Sequence, residues 1–563
     1  MNSNKLRENF LRFFEKNGHK IVVSSSLIPD DPSVLLTTAG MQQFKQYFLG
    51  EPSPYGNKVV SCQQSFRTSD IDRIGDKIHL TFFEMLGNFS FGDYFKEEAI
   101  KLAFCFLFEE LKLNKKQCYF TVFKGDKDTP FDKESFSILK KLGVPESKIK
   151  KMPREENFWG PTGLEGPCGP TVEIYYKKLE IWNLVFNEYF RDKHGKLSPL
   201  EQKGVDTGLG LERLAKVIQN KPSIFETDLF EPIMKEISGK FKEQSSSLER
   251  AKRIISDHIK ACTFLISEGI LPSNKDRGYI LRRLIRRIIG LEKILGLPNN
   301  FLIGLVPKVV EIYQDIYPEI KSKEADIMTV IQNEGEKFEK ALVKGLKQFE
   351  KISLKGNISG IDAFHLYDTY GFPLELTTEL AEQKDLKVDK QGFNSAFKKH
   401  QQISRAGIEK KFGGIGKQAG YESIKLHTAT HLLHQALREV LGEGVEQMGS
   451  DITAERLRFD FSYSKKMTET EIKKVETLVN QKIKQDLKIK KEEMSYEKAM
   501  KSGALAFFKN KYPNKVNVYL IGSFSKEICA GPHVIRTSEL GEFKIIKEES
   551  SGSGVRRIRA ILK

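Results

Sequence analysis

The chain has 563 residues, of which 39% are hydrophobic and 29% charged. This size and composition exclude a small binding module, a disordered chain and a fibrous one. Lysine and arginine number 91 against 75 aspartate and glutamate, a net charge of +16, so a polyanionic partner is expected, with nucleic acid ahead of an anionic membrane. The N-terminus is amphipathic and charged, the sequence contains no apolar run long enough to span a membrane, and the six cysteines form no CxxC pair. We therefore predict a cytoplasmic protein with no membrane partner and no disulfide framework.

The spacing of apolar residues divides the chain into segments of different secondary structure. Apolar residues recur at helical spacing from Asn4 to Gly18, and short β-rich segments separated by glycine and proline follow. This pattern predicts an α+β domain with a mainly antiparallel sheet over residues 1–236. Residues 237–383 have a helical pattern broken by prolines, which predicts a helical domain. The polar, glycine-containing segment 384–420 is predicted to be a flexible linker, and residues 421–563 a second α+β domain.

Two segments of the first domain are suited to holding a phosphorylated ligand. Lys58 to Leu86 is predicted to form a strand, a loop and a strand with Arg67 near the loop, and an arginine binds phosphate or carboxylate through two parallel hydrogen bonds. Alone, however, Arg67 is more often a surface charge. Gly204 to Arg213 spaces three glycines evenly around Asp206, which lets a ligand approach a strand backbone, although such a segment is often only a turn. Its spacing fits neither a Rossmann nor a Walker phosphate loop.

Together the two segments match motifs two and three of class II aminoacyl-tRNA synthetases. Longer strings resemble alanyl-tRNA synthetases, and they lie at 81–95, 166–170, 205–213 and 257–279. The resemblance covers nearly the whole chain. It implies a class II antiparallel-sheet catalytic domain, a helical tRNA-recognition domain and an α+β editing domain that contains zinc.

The resemblance also implies roles for individual residues in joining alanine to tRNA with ATP and Mg²⁺. Arg67 would hold the α-phosphate and the alanine carboxylate, Phe83 and Met85 would contact the adenine, and Arg213 the γ-phosphate. Asp206 would bind the alanine ammonium. The methyl pocket would be formed by Trp159, Asn183, Val185 and Gly208. Plain core packing is the alternative role for Trp159 and Val185. The family commonly has Arg-His-His where this chain has Ile78-His79-Leu80, which puts one further triphosphate contact in doubt.

A basic helix is predicted from Tyr279 to Ile289. Arginines repeat on the side opposite an apolar stripe, at Arg282, Arg283, Arg286 and Arg287. A basic face is often only solvated, but the net charge and the resemblance favour the acceptor stem of tRNA(Ala). The family recognises a G·U pair there through an asparagine and an aspartate. Asn274 and Asp368 match those positions and could otherwise be capping or turn residues.

A metal site is predicted in the last domain. His427 and His431 are four residues apart on a predicted helix, so both rings lie on one face, and Cys529 and His533 supply a thiolate and a third imidazole. This set suits Zn²⁺; the alternative is a pair of packed histidines. His434 is expected to cap or line the site.

The surrounding strings resemble the editing domain shared by alanyl- and threonyl-tRNA synthetases. That resemblance implies hydrolysis of mischarged seryl- and glycyl-tRNA, with Thr430 and Gln447 as polar pocket groups. A second site is expected on physical grounds, because a small pocket separates alanine from serine or glycine by only about 1 to 3 kcal/mol. The family has threonine at the position of Pro532, so the efficiency of hydrolysis is open.

Three functions fit these observations. An alanine–tRNA ligase with editing leads; the others are a hydrolase that mainly clears mischarged tRNA and a tRNA-binding protein without catalysis. A threonine enzyme is disfavoured because its editing domain precedes the catalytic domain. Because the family's usual β-barrel insertion and C-terminal region are missing, we expect a minimal or truncated form that is a monomer.

Overall fold

The computed structural model describes residues 1–31, 33–161, 163–242, 245–412, 420–506, 514–552 and 554–563. These residues form two compact units, Met1–Phe393 and Asn394–Lys563. The predicted catalytic and helical domains both fall within the first unit.

Within the described residues, the first unit contains a nine-stranded sheet. Its strands are β1 Lys20–Ile21, β2 Lys58–Phe66, β3 Phe82–Phe91, β4 Cys118–Phe123, β5 Ile149–Met152, β6 Phe158–Trp159, β7 Gly166–Tyr176, β8 Leu179–Arg191 and β9 Leu197–Gly210. The order is β1-β2-β3-β9-β8-β7-β4-β5, with β6 paired to β7. The pairs β1–β2 and β4–β5 are parallel and the other pairs antiparallel. The predicted mainly antiparallel sheet is confirmed, and the second strand predicted within Lys58 to Leu86 begins at Phe82.

Helices pack against this sheet and continue beyond it. They are α1 Ser3–Lys16, α2 Lys45–Phe48, α3 Lys96–Phe104, α4 Lys133–Lys141, α5 Arg154–Asn157, α6 Leu211–Ile218, α7 Glu231–Ser238, α8 Ser246–Ser267, α9 Asp276–Ile294, α10 Val306–Tyr313, α11 Glu319–Ser322, α12 Glu324–Ser353, α13 Gly360–Tyr370 and α14 Leu374–Glu382. Helix α15, Lys390–Phe412, begins in the first unit and continues into the second. Helix α15 occupies part of the segment predicted as a linker, and residues 413–419 lie outside the described ones. None of the described helices is apolar over a length that could cross a membrane.

Buried charges join the sheet of the first unit to its helices. Glu84 on β3 is fully buried, accepts hydrogen bonds from Arg7 Nε at 2.9 Å and Nη2 at 2.7 Å, and accepts another from the Tyr317 hydroxyl at 2.8 Å. Glu212 in α6 accepts a hydrogen bond from Lys260 Nζ of α8 at 2.7 Å. Because a buried carboxylate that loses its partner is strongly destabilising, these contacts hold α1, β3, α6 and α8 in one folded body.

The second unit is α+β, as predicted. Its helices are α16 Tyr421–Leu441, α17 Glu469–Lys484 and α18 Tyr496–Lys501, and its strands are β10 Gln447–Ile452, β11 Leu457–Ser462, β12 Ile489–Ser495, β13 Lys515–Ile521, β14 Ser525–Ile528, β15 Phe543–Gly552 and β16 Val555–Leu562. In the described part of this unit the strands form two antiparallel sheets, β10-β11-β16-β15 and β12-β13-β14. The core lies between α16, α17 and the four-stranded sheet, and includes Leu433, Phe459 and Val475.

Candidate active site and metal centre

All nine residues expected at the catalytic centre line one cavity of about 310 Å³ in the first unit. They are Arg67, Phe83, Met85, Trp159, Asn183, Val185, Asp206, Gly208 and Arg213. The structure therefore brings together side chains that lie up to 146 positions apart in sequence.

Strand register explains the assembly of this cavity. Side chains alternate along a strand, so Phe83 and Met85 lie on one face of β3 while Glu84 points to the opposite, buried side. Neighbouring strands continue this face, because Asn183 of β8 pairs with Gly208 of β9 and Val185 pairs with Asp206. A Cβ atom at Gly208 would lie 3.0 Å from Met85 Sδ, so a glycine keeps the cavity open at this point.

Asp206 is a buried carboxyl group at the cavity wall. It is 5% exposed, and no hydrogen bond or ion pair to its side chain occurs among the described residues. Burial raises the pKa of Asp206 to about 7. A buried carboxylate without a counter-charge favours a cationic ligand, and an ammonium group supplies both charge and donors.

Asn183 offers a hydrogen-bond acceptor in the same cavity. Its Nδ2 lies 3.4 Å from Glu173 Oε1, whereas its buried Oδ1 has no partner. Glu173 in turn accepts hydrogen bonds from the Tyr175 hydroxyl at 2.8 Å and the Thr121 hydroxyl at 3.3 Å. Burial, followed by the neighbouring Glu180, raises the pKa of Glu173 to about 7. Glu173 thus fixes the amide of Asn183 with its oxygen available to a donor.

Two arginines line the cavity. Arg67 follows β2, donates from Nε to the Thr38 carbonyl at 3.3 Å, and places its guanidinium 5.1 Å from the centre of the Phe83 ring. Arg213 Nη1 donates to Glu180 Oε2 at 3.0 Å. Both charges border the cavity, where anionic groups of a ligand could be bound.

Several cavity residues were not found by the sequence analysis. Carboxylates of Glu155, Glu156 and Glu180 line it, beside Ile78, His79 and Leu80, whose segment the sequence had already singled out. The carboxylates come from segments without a motif, so no local signal marked them. The 78–80 segment does border the cavity, and His79 Nδ1 contacts the Asp76 carboxylate.

The basic helix differs from its predicted arrangement. We expected all four arginines on an exposed face, and for Arg287 this is wrong: its side chain is 1% exposed, lies against Glu379 and donates to the Ile71 carbonyl at 2.9 Å. Arg282 and Arg286 both pair with Glu334 of α12, at 3.1 and 2.8 Å.

The remaining arginine is partly exposed, and the two residues expected to recognise the G·U pair are exposed. Arg283 lies between Asp72 and Glu375. Asn274 is exposed and accepts a hydrogen bond from Arg282 Nη1, and Asp368 is exposed on α13. Their binding roles remain predictions.

In the second unit, the four expected metal ligands lie together. The ligand atoms of His427, His431, Cys529 and His533 are within 4.8 Å of one another. His427 and His431 share one face of α16, whereas Cys529 and His533 follow β14. Gly531 lies between them with φ +67°, and a Cβ atom there would come within 2.3 Å of Tyr519 Oη.

Hydrogen bonds orient the three imidazoles. Nδ1 of His427 donates to the Pro532 carbonyl at 3.0 Å, Nδ1 of His431 to the Glu527 carboxylate, and Nδ1 of His533 contacts the Thr428 hydroxyl at 3.2 Å. With Nδ1 engaged in this way, Nε2 is the atom of each ring that is left to bind a metal. The Nε2 atom of His533 is buried without a hydrogen-bond partner, which fits a site built for a cation.

Charge in this cluster also suits a thiolate. Burial alone would raise the pKa of Cys529, but the charge of the neighbouring His431 holds it well below its usual value. The thiolate is the form that binds zinc.

The neighbouring residues were only partly predicted. Glu527 and Thr428, which orient His431 and His533, were missed. His434, expected to cap or line the site, donates from Nδ1 to Glu527 Oε1 at 2.9 Å. Thr430 donates to the Leu426 carbonyl at 2.9 Å, and Gln447 donates to the Ser450 hydroxyl at 3.1 Å, so their editing roles remain predictions.

Comparisons with protein families match both units. A family described as "tRNA synthetases class II (A)" matches residues 5–454, and one described as "Threonyl and Alanyl tRNA synthetase second additional domain" matches residues 516–559.

Individual relatives align over the whole chain. A protein of Borreliella afzelii (strain PKo) named "Alanine--tRNA ligase" is 49% identical, with 100% of both chains covered. Proteins of the same name from Treponema pallidum (strain Nichols) and Thermotoga maritima are 46% and 40% identical. Each covers 100% of this chain, which spans 98% and 80% of their lengths.

Proposed function

The chain belongs to the class II alanyl-tRNA synthetase family, and we propose that its two sites divide the work of charging tRNA correctly. It is an alanine–tRNA ligase: it activates alanine with ATP, transfers the alanyl group to tRNA, and hydrolyses mischarged tRNA at a separate site. The assignment of residues is supported by the convergence of nine expected residues on one cavity.

In the cavity, the proposed ligase reaction depends on positioning. Arg67 binds the α-phosphate and the alanine carboxylate, Phe83 and Met85 hold the adenine, and Arg213 binds the γ-phosphate, so that carboxylate oxygen and α-phosphorus meet in line. Mg²⁺ accompanies the triphosphate, and carboxylates of Glu155, Glu156 and Glu180 are oxygen ligands of the kind it prefers.

The alanine pocket is formed by complementary charge and limited space. Asp206 binds the ammonium group, supported by its burial without a counter-charge. The free Oδ1 of Asn183 accepts a second ammonium hydrogen bond. Trp159, Val185 and Gly208 limit the side chain to about one methyl group.

The second unit carries the proposed editing site. Zn²⁺ would be held by His427, His431, Cys529 and His533, and would supply a Lewis acid that holds the aminoacyl ester and water. The residues of the chain set the ligand tautomers through Glu527, Thr428 and the Pro532 carbonyl. Thr430 and Gln447 are proposed as polar groups that contact the seryl or glycyl ester.

The proposed nucleic-acid partner is tRNA(Ala), recognised at a G·U pair of the acceptor stem by Asn274 and Asp368. Arg282, Arg283 and Arg286 are proposed to contact phosphates near that pair, and the buried Arg287 is excluded. The enzyme is proposed to act as a monomer, which sedimentation at micromolar concentration would test.

One experiment distinguishes the alanine–tRNA ligase from a hydrolase and from a tRNA-binding protein without catalysis. Two tRNA transcripts, with G·U and with G·C at the acceptor-stem position, are incubated with enzyme, alanine and ATP. Charging of the G·U transcript alone is expected. Charging of neither, together with an absence of alanine-dependent ATP–pyrophosphate exchange, would overturn the ligase assignment in favour of a hydrolase.

A further inference from the structure

Helix α12 carries a row of lysines with no role in the functions above. Lys337, Lys340, Lys344, Lys347 and Lys351 are all exposed and follow one another at alternating spacings of three and four residues. At 3.6 residues per turn, they fall within about 80° of one another and extend over about 21 Å of helix. We call these five residues the lysine row.

The lysine row lies away from the packing side of α12. The buried residues of this part of the helix include Phe338, Leu342 and Phe349, and the centre of the lysine row is about 160° around the helix from them by the same geometry. The row therefore faces solvent along its whole length.

The five ammonium groups form no ion pairs among the described residues, although Glu336 and Glu350 lie within one turn of the row. Within the described part of the chain, no ion pair, hydrogen bond or aromatic contact involves any of them, whereas the nearby Glu350 pairs with Lys384. Like charges three and four residues apart repel one another. The helix dipole favours positive charge only in the last turn, where Lys351 lies, so it leaves the other four lysines unexplained.

The contacts of α12 link it to the elements that carry the proposed tRNA-binding residues. Glu334, one turn before Lys337, pairs with Arg282 and Arg286 of α9, and Arg282 contacts Asn274. Phe338 of α12 also packs against Phe372, just after α13, at 6.1 Å between ring centres. Helix α12 therefore supports both α9 and α13, which bring Asn274 and Asp368 to the first unit's surface.

We propose that the lysine row binds the sugar-phosphate backbone of tRNA beyond the pair contacted by Asn274 and Asp368. This inference rests on the proposed function for its partner. Lysines act as point charges on phosphates and carry no base specificity, so the row would add affinity without contributing to the choice of the G·U pair.

The test uses the full-length protein with Lys340, Lys344 and Lys347 changed to Gln. Binding of tRNA(Ala) transcript is measured between 50 and 300 mM salt. Log affinity falls with log salt, and each lost phosphate contact reduces the steepness of this fall by about 1. The triple variant is therefore expected to have a slope that is shallower than that of wild type by about 3. The loss is expected to be equal for the G·U and G·C transcripts.

A matched control removes the same charge elsewhere. Lys101, Lys235 and Lys501 are exposed helix lysines paired one turn away with Glu97, Glu231 and Glu497. Their triple change to Gln alters the net charge equally and is expected to leave the salt slope unchanged. Equal slopes in the lysine-row variant and wild type would overturn the proposal.

Two further measurements distinguish a failure of this proposal from a failure of the proposed function. Alanine-dependent ATP–pyrophosphate exchange needs no tRNA, so it is expected to be unchanged in the lysine-row variant; its absence in wild type would instead overturn the proposed function. Wild-type binding to vesicles of anionic phospholipid that is lost in the variant, with tRNA binding intact, would assign the row to a membrane and contradict the proposal.

Discussion

At the residue scale, Asp206 links pH to alanine binding. Because burial raises its pKa to about 7, the carboxyl group is increasingly protonated below that pH and cannot pair with an ammonium. We expect the KM for alanine in ATP–pyrophosphate exchange to rise as the pH falls from 8 to 6, with the KM for ATP little changed. A pH-independent alanine KM would contradict the role of Asp206.

Substitution of the same residue separates binding from stability. Asp206→Asn is expected to lower kcat/KM for alanine about 100-fold, as for a lost hydrogen bond to a charged group worth about 3 kcal/mol. The folded-state pKa lies above the usual carboxyl value, so ionisation of Asp206 destabilises the fold as the pH rises from about 4 to 7. The asparagine variant is therefore expected to keep or raise the Tm at pH 8, which thermal unfolding measures.

Glu527 is expected to act on metal affinity through the histidines that it orients. Glu527→Gln is predicted to weaken zinc binding about 10- to 100-fold, because the carboxylate sets the tautomer and basicity of His431. Competition with a chromogenic chelator measures the affinity. Glu548→Gln is the control, since Glu548 is a buried carboxylate of the same unit that pairs with Arg556; equal affinities in the two variants would contradict the role.

The sequence predicted residues that belong to motifs and missed those that support them. Arg67, Asp206 and the four proposed metal ligands were singled out because their spacing or their strings are distinctive, and the structure places them in one cavity and one cluster. Glu173 and Glu527 were missed because their role depends on a partner across a strand pair or on another element. Arg287 was placed wrongly because its partner, Glu379, lies 92 positions away.

At the element scale, the turn between β14 and His533 decides whether the metal ligands meet. Gly531→Ala is expected to destabilise the second unit by more than the roughly 1 to 2 kcal/mol of a left-handed alanine, because the Cβ atom would collide with Tyr519 Oη. Zinc affinity should fall as well. Gly503→Ala isolates the backbone effect, since Gly503 has φ +78° with open space around it; denaturant unfolding and zinc titration compare the two.

The periodicity of apolar residues predicted the type of each element better than it predicted where the element begins and ends. The strand, loop and strand predicted over Lys58 to Leu86 are present as β2 and β3 with Arg67 just after β2. The start of β3 at Phe82 could not be predicted, because Thr81 is held by the Asp257 carboxylate, whose oxygens accept from its amide at 2.9 Å and its hydroxyl at 2.6 Å. Such contacts between distant segments end a strand without any local signal.

At the scale of the whole molecule, the proposed ligase and editing sites lie in different compact units, so we expect that each activity can be removed without the other. His427→Ala is expected to abolish hydrolysis of seryl-tRNA and to leave alanine-dependent ATP–pyrophosphate exchange within twofold of wild type. Asp206→Asn is expected to lower alanine-dependent exchange and to leave hydrolysis of seryl-tRNA unchanged. Deacylation and exchange assays on both variants check this, and a joint loss in either one would contradict the separation.

The buried pairs of Glu84 and Glu212 have a consequence for the chain as it leaves the ribosome. Glu212 acquires its partner only when Lys260 has been synthesised, and Glu84 completes its contacts only with Tyr317. Until then the sheet would enclose carboxylates without their full set of donors, at a cost of about 3 to 5 kcal/mol for a broken pair. The catalytic sheet is therefore expected to become protease-resistant on stalled nascent chains only after Tyr317 has emerged, and not at the predicted domain boundary near residue 236.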